Sequence, residues 1–162
     1  DFFANWGTPV RAVADGLVIR ADHYHLEVPS EFRMGLLSAS SRVGHTPSDI
    51  FNSVLLGKAI FLDHGFDIVP GFRAITIYAH LSSINKDMTP GSVIKAGQIM
   101  GRSGNTGTRE STLGTKNDAH LHWEMILQKG NKEIYLGEDM TYEQLYAMLV
   151  DIFAATTPVV NQ

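Results

Sequence analysis

The segment Arg73-Ala74-Ile75-Thr76-Ile77-Tyr78, running on into Ala79-His80-Leu81, decides the fold. Ile75 and Ile77 fall on one face and Thr76 and Tyr78 on the other, the period of two that a β-strand requires. His120 to Leu127 alternates in the same way. Working outward, the chain offers further short β-rich runs broken by glycine. Thr8 to Ala14 leads into Gly16 to Ala21, and Lys58 to Leu62 is closed by Asp63-His64-Gly65. Ser92 to Lys95 and Gln98 to Gly101 flank Ala96-Gly97, which reads as a turn. Short strands with turn signals between them predict a mainly β fold.

Two stretches break this rhythm. His23 to Gly57 carries Pro29, a serine-rich patch at Ser38 to Ser41, and Pro47. Within it, Ser48 to Gly57 reads as a short helix capped by Ser48 and stopped by Gly57. A structureless connection of that length is uncommon in a compact domain, so the segment is expected to have its own structure. We expect it to form a wall or lid. Near the other end, Thr141-x-x-Gln144 is a capping box. Leu145, Met148, Leu149, Ile152 and Phe153 then recur at helical spacing, which predicts an amphipathic helix over about 142–154, packed on the sheet.

Composition narrows the function. The 162 residues suit one domain, and 44% hydrophobic against 19% charged residues supports a packed core rather than disorder. A net charge of -4 argues against a bulk electrostatic grip on nucleic acid or an anionic membrane. With no cysteine, thiol catalysis and disulfides are excluded, and any metal must sit on histidine and carboxylates. No apolar run approaches the ~20 residues of a spanning helix, and no signal peptide is visible. The abrupt opening Asp1-Phe2-Phe3, without an initiator Met, reads as a fragment.

Seven histidines are many for this length. His120 and His122 are two apart in an alternating run, so both imidazoles project from one strand face while Leu121 and Trp123 point the other way. The pair suits a metal, and it equally suits a polar sheet face. His80 closes its strand, where it is either a groove residue or an ordinary half-buried histidine. His64, between Asp63 and Gly65, reads as structural. His23 and His25 form a rival pair two apart, with no third ligand nearby. His45 has no assigned role.

Taken in order, these pieces resemble the lysostaphin/LytM-type zinc endopeptidases. The opening is carried by Asp1, Gly7-Thr8-Pro9-Val10 and Ala14-Asp15-Gly16-Leu17-Val18. Asp63-His64-Gly65 and Tyr78-Ala79-His80-Leu81 follow. Val93 to Gly101, with Ser103-Gly104-Asn105-Thr106-Gly107, resembles the glycine-rich stretch of the family. His120-Leu121-His122-Trp123-Glu124 resembles its terminal element.

The resemblance implies an antiparallel β-sheet folded around a zinc groove, forming one catalytic domain over 1–162. It implies that Asp1 and His122 are zinc ligands and that His80 and His120 flank the attacked carbonyl. The third ligand would be a histidine four positions before Asp1, supplied by an upstream part of the same protein. Glu124 shares a face with His122 and could orient its ring. The implied activity is endopeptidase cleavage of bacterial peptidoglycan peptides outside the cytoplasm. The family does not require the long segment 23–57, the long stretch Thr108 to Asp118, or the C-terminal helix. Two rival readings stand beside it: an inactive relative that activates a cell-wall amidase, and a lipoyl-like hairpin module built on Val93 to Gly101.

Overall fold

The alternating segment forms β5 (Arg73–Ala79), and it lies in the interior of a sheet rather than at an edge. In the computed structural model, which describes residues 1–154, β5 pairs with β4 (Ile60–Asp63) on one side and β9 (His120–Lys129) on the other. Beyond β4 lie β3 (Gly16–Ala21) and β7 (Val93–Ile94). Beyond β9 lie β1 (Phe2–Phe3) and β10 (Lys132–Tyr135), which pair with opposite ends of it. A second sheet has the order β2 (Pro9–Arg11), β8 (Ile99–Ser103), β6 (Leu81–Ile84). Every pairing is antiparallel.

β5 is buried on both faces, because different elements cover each one. On one face Tyr78 joins Val10, Val18, Leu62 and Met100 in a core shared by the two sheets. The Tyr78 hydroxyl accepts from the Val13 amide at 3.1 Å, which satisfies its one polar atom. On the other face Ile77 and Ala79 pack with Leu56 and Ala59. Full burial of side chains such as Leu62 and Ile77 contributes roughly 1.5–3 kcal/mol each. β7 and β8 flank the Ala96-Gly97 turn but belong to different sheets, so Val93 to Gly101 is a corner and not a carrier hairpin.

The long segment holds more helix than its sequence signals. α1 (Ser30–Val43) starts after Pro29 with no side-chain cap and ends at Gly44, whose φ of 80° only glycine adopts without strain. α2 (Ser48–Ile50) continues into a π-helical turn, Phe51–Leu55. Its cap is Pro47, so Ser48 is the first helical residue rather than the cap. α3 (Arg109–Thr112) is capped by Thr108, whose hydroxyl accepts from the Ser111 amide.

α4 (Tyr142–Ala154) begins with the expected capping box. The Thr141 amide donates to Gln144 Oε1 at 2.8 Å, and the Gln144 amide donates to Thr141 Oγ1 at 3.3 Å. Ile152 and Phe153 of α4 pack against Met125 and Leu127 of β9. Among the described residues no helix is long and apolar enough to cross a membrane.

Candidate active site

β9 projects His120, His122 and Glu124 from one face, as its alternation requires. The β5 register sets Ala79 beside His122 and Ile77 beside Glu124, on the face that the 23–57 segment covers. β1 pairs Phe2 with Leu121 and Phe3 with His120, and one further step of that register brings Asp1 to His122. The side chains meet there: His122 Nδ1 lies 2.8 Å from Asp1 Oδ1. The other ring nitrogen, Nε2, lies 2.6 Å from Glu124 Oε1. His120 Nε2 is 3.8 Å from the same Asp1 oxygen. The His80 ring centroid is 4.8 Å from that of His120 and 5.5 Å from that of His122.

His80 reaches this position through a left-handed backbone, φ 58°, where the chain leaves one sheet for the other. Its amide donates to the Leu56 carbonyl at 2.9 Å, which helps hold a conformation that costs a non-glycine residue about 1–3 kcal/mol. The His80 Nδ1–H donates to the Thr106 carbonyl at 2.8 Å. Likewise the His120 Nδ1–H donates to the Asp118 carbonyl at 2.7 Å. A carbonyl can only accept, so both rings carry a proton on Nδ1, and in the neutral ring it is the Nε2 lone pair that is left for the groove. Burial, helped by the neighbouring His120, His122 and Arg33, pushes the His80 pKa down to about 4 despite the Thr106 carbonyl. The ring is therefore neutral at neutral pH, as a proton acceptor must be.

The loop Gly104 to Gly107 is the platform under His80. Asn105 is fully buried and donates through Nδ2 to the carbonyls of Thr115 and Asn117, at 3.0 and 2.7 Å. Those two bonds tie the platform to the stretch leading into His120. Thr106 Oγ1 accepts from the Lys58 amide and donates to the Leu81 carbonyl. A Cβ on Gly57 would lie 2.2 Å from the Thr106 carbonyl oxygen, and one on Gly107 2.4 Å from that of Leu55. Asn105 and Thr106 carry no catalytic chemistry of their own, and sequence reasoning gave them no role. The close glycines around them were the available signal.

The 23–57 segment forms one wall. Arg33 of α1, with Phe51 and Leu55, lines a cavity of about 320 Å³ together with His80, His120 and His122. A larger, apolar cavity lies between β9 and α4, lined by residues such as Trp123 and Phe153, and holds none of the histidines. The rival pair takes no part in the groove. His23 donates from Nε2 to the Met88 carbonyl at 2.7 Å, and His25 Nε2 faces Glu27 at 3.4 Å. His64 is structural as expected, with Nδ1–H to the Asp15 carbonyl and Nε2 on Thr76 Oγ1.

The donor set at His122 suits a cation. A neutral imidazole has one proton, yet carboxylate oxygens face both of its nitrogens. With Nε2–H given to Glu124, Nδ1 and the Asp1 carboxylate are two acceptors converging on one point, as metal ligands do. They are two ligating groups and not three: among the described residues no group of three His, Asp or Glu forms a complete metal set.

The sequence model of peptidase family M23 matches residues 39–136, a span that holds His80, His120, His122 and Glu124 but not Asp1. Compared with the curated proteins, the chain has no match. Among solved structures, it is similar to the catalytic domain of the antimicrobial peptidase lysostaphin from Staphylococcus simulans. Identity there is 25%, over 77% of this chain and 62% of that one, with TM-score 0.44. It is similar to a solution structure of lysostaphin at 21% identity, over 99% of this chain and 47% of that one, with TM-score 0.50. A third is a putative glycyl-glycine endopeptidase, LytM, from Ruminococcus gnavus, at 23% identity over 78% and 36%, with TM-score 0.45. The chain spans less than two thirds of each of these structures.

Proposed function

Because the chain belongs to peptidase family M23, we propose that it is a zinc-dependent endopeptidase acting on the peptide cross-links of bacterial peptidoglycan, outside the cytoplasm. One observation carries the reading. Two free imidazole nitrogens, on His80 and His120, border the groove in which the His122 and Asp1 acceptors converge. Asp1 and His122 would hold the metal together with a third ligand supplied from upstream of Asp1. When bound, zinc supplies a Lewis acid that polarises the scissile carbonyl and acidifies water.

The chain's own residues do the rest. Glu124 fixes the His122 ring by taking its Nε2–H, which leaves Nδ1 as the ligating atom. A Nε2 lone pair on His80 or His120 takes a proton from the attacking water as the C–O bond forms. The resulting imidazolium returns that proton to the amine nitrogen as the C–N bond breaks. The other ring flanks the developing oxyanion. Thr106 and Asp118 hold both rings in the tautomer this requires.

The test is digestion of purified peptidoglycan by the zinc-loaded, full-length protein. New amino groups, without new reducing sugar ends, are expected, and a chelator should stop their release. Unchanged amine release with chelator present would remove zinc from the reading. No amine release, together with stimulation of an added amidase, would replace it with the activator reading.

A further inference from the structure

Arg33 projects from α1 into the histidine-lined cavity. Its Nε–H donates to the Gly107 carbonyl at 2.9 Å, which fixes the plane of the guanidinium. Among the described residues no hydrogen bond or ion pair takes Nη1 or Nη2. The carboxylate whose charge reaches it, Glu27, is committed elsewhere. Glu27 Oε1 accepts from the Gly107 amide at 2.9 Å and from the Ser111 hydroxyl at 2.5 Å, and Oε2 faces His25. By contrast Arg20, Arg73 and Arg109 pair with Asp22, Asp63 and Glu110, and Arg11, Arg42 and Arg102, which also lack an ion pair, are exposed to water. Of the acidic groups around the groove, Asp1 and Glu124 both face His122, and Asp118, which lines the same cavity, is exposed and makes no ion pair with Arg33. Arg33 is also half-buried, and the loss of water around it lowers its pKa. A partly desolvated cation without a direct ion pair is costly, and a planar fork held by one nitrogen is set to receive a carboxylate with the other two.

We propose that Arg33 is a specificity-determining residue that binds a carboxylate of the substrate peptide, so that peptides with a free carboxylate beside the scissile bond are cut in preference to neutral ones. The inference rests on the peptidase reading above, and its test separates the two. The zinc-loaded, full-length protein is given two synthetic peptides that differ only in one carboxylate against its carboxamide. The carboxylate peptide should show kcat/KM about ten- to a hundredfold higher, carried by KM, the range expected of a charge-assisted hydrogen bond. Arg33→Gln should bring that ratio close to one.

If the parent cuts both peptides equally, the inference is overturned and the peptidase reading stands. If it cuts neither, both fall. If Arg33→Gln slows both peptides by the same factor and keeps the ratio, Arg33 only props Gly107, and the inference is overturned. Should Arg33→Gln not fold, Arg33→Lys decides. A point charge without the fork should lower the ratio severalfold, and a ratio equal to the parent's overturns the inference.

Discussion

His120-x-His122 and His23-x-His25 are the same two-residue pattern with opposite outcomes. The first lies inside β9, where backbone pairing forces both rings onto one face, and there His80 and Asp1 meet them. The second follows the end of β3 in non-repetitive chain. There its members part, His23 to a backbone carbonyl and His25 toward Glu27. A histidine pair at this spacing thus reports a site only when the residues between and around it are strand.

The contrast can be broken most sharply in activity. His80→Ala or His120→Ala should keep the metal and lose about 10²–10⁴-fold in turnover on peptidoglycan, the usual contribution of a general acid–base group. His122→Ala should lose the metal itself, read by elemental analysis, while His23→Ala should retain both metal and turnover. Metal lost from His23→Ala but not from His122→Ala would transfer the site to the other pair.

The next effect in size is on the platform. Gly107→Ala, at φ 78° with a Cβ aimed at the Leu55 carbonyl, should destabilise by about 2–4 kcal/mol in denaturant unfolding. Gly44→Ala, also at positive φ but with open space around it, should cost only about 1 kcal/mol. Equal losses would mean that the approach of Leu55 to Gly107 is loose.

The two capping signals give a smaller contrast of the same kind. Thr141→Ala removes a bond that the structure shows and should cost about 0.5–2 kcal/mol. Ser48→Ala removes no cap and should change stability by less than about 0.5 kcal/mol.

The smallest effect is a pH slope. Burial lowers the His64 pKa below its ordinary 6.5, against the opposing pull of the Asp15 carbonyl and the nearby Asp63 and Asp15 charges. The unfolded chain then binds the proton more readily than the folded one, so this contribution is complete above about pH 6.5 and is lost as pH falls below it. His64→Gln should be less stable than the parent at pH 7 and should lose less of its melting temperature between pH 7 and 5. Parallel pH curves for the two proteins would show that His64 does not titrate in the unfolding step.

Some of this was readable without coordinates. Alternation in Arg73 to Tyr78 and His120 to Leu127 dictated strands, since burying an apolar face at a period of two admits no other repeat. Thr141 and Gln144 announced α4 through a local, reciprocal bond. His120 and His122 shared a face by backbone geometry alone. What the tertiary structure decided were contacts between residues far apart in sequence. Asp1 meets His122 only because β1 pairs with β9, and the Thr106 carbonyl sets the tautomer of His80 only because a tight loop crosses beneath it. α1 escaped notice because its start has no capping side chain and its polarity follows no clean stripe. Arg33 escaped for the same reason: nothing in its neighbours along the chain shows that it faces three histidines, because that meeting comes from packing and not from local sequence.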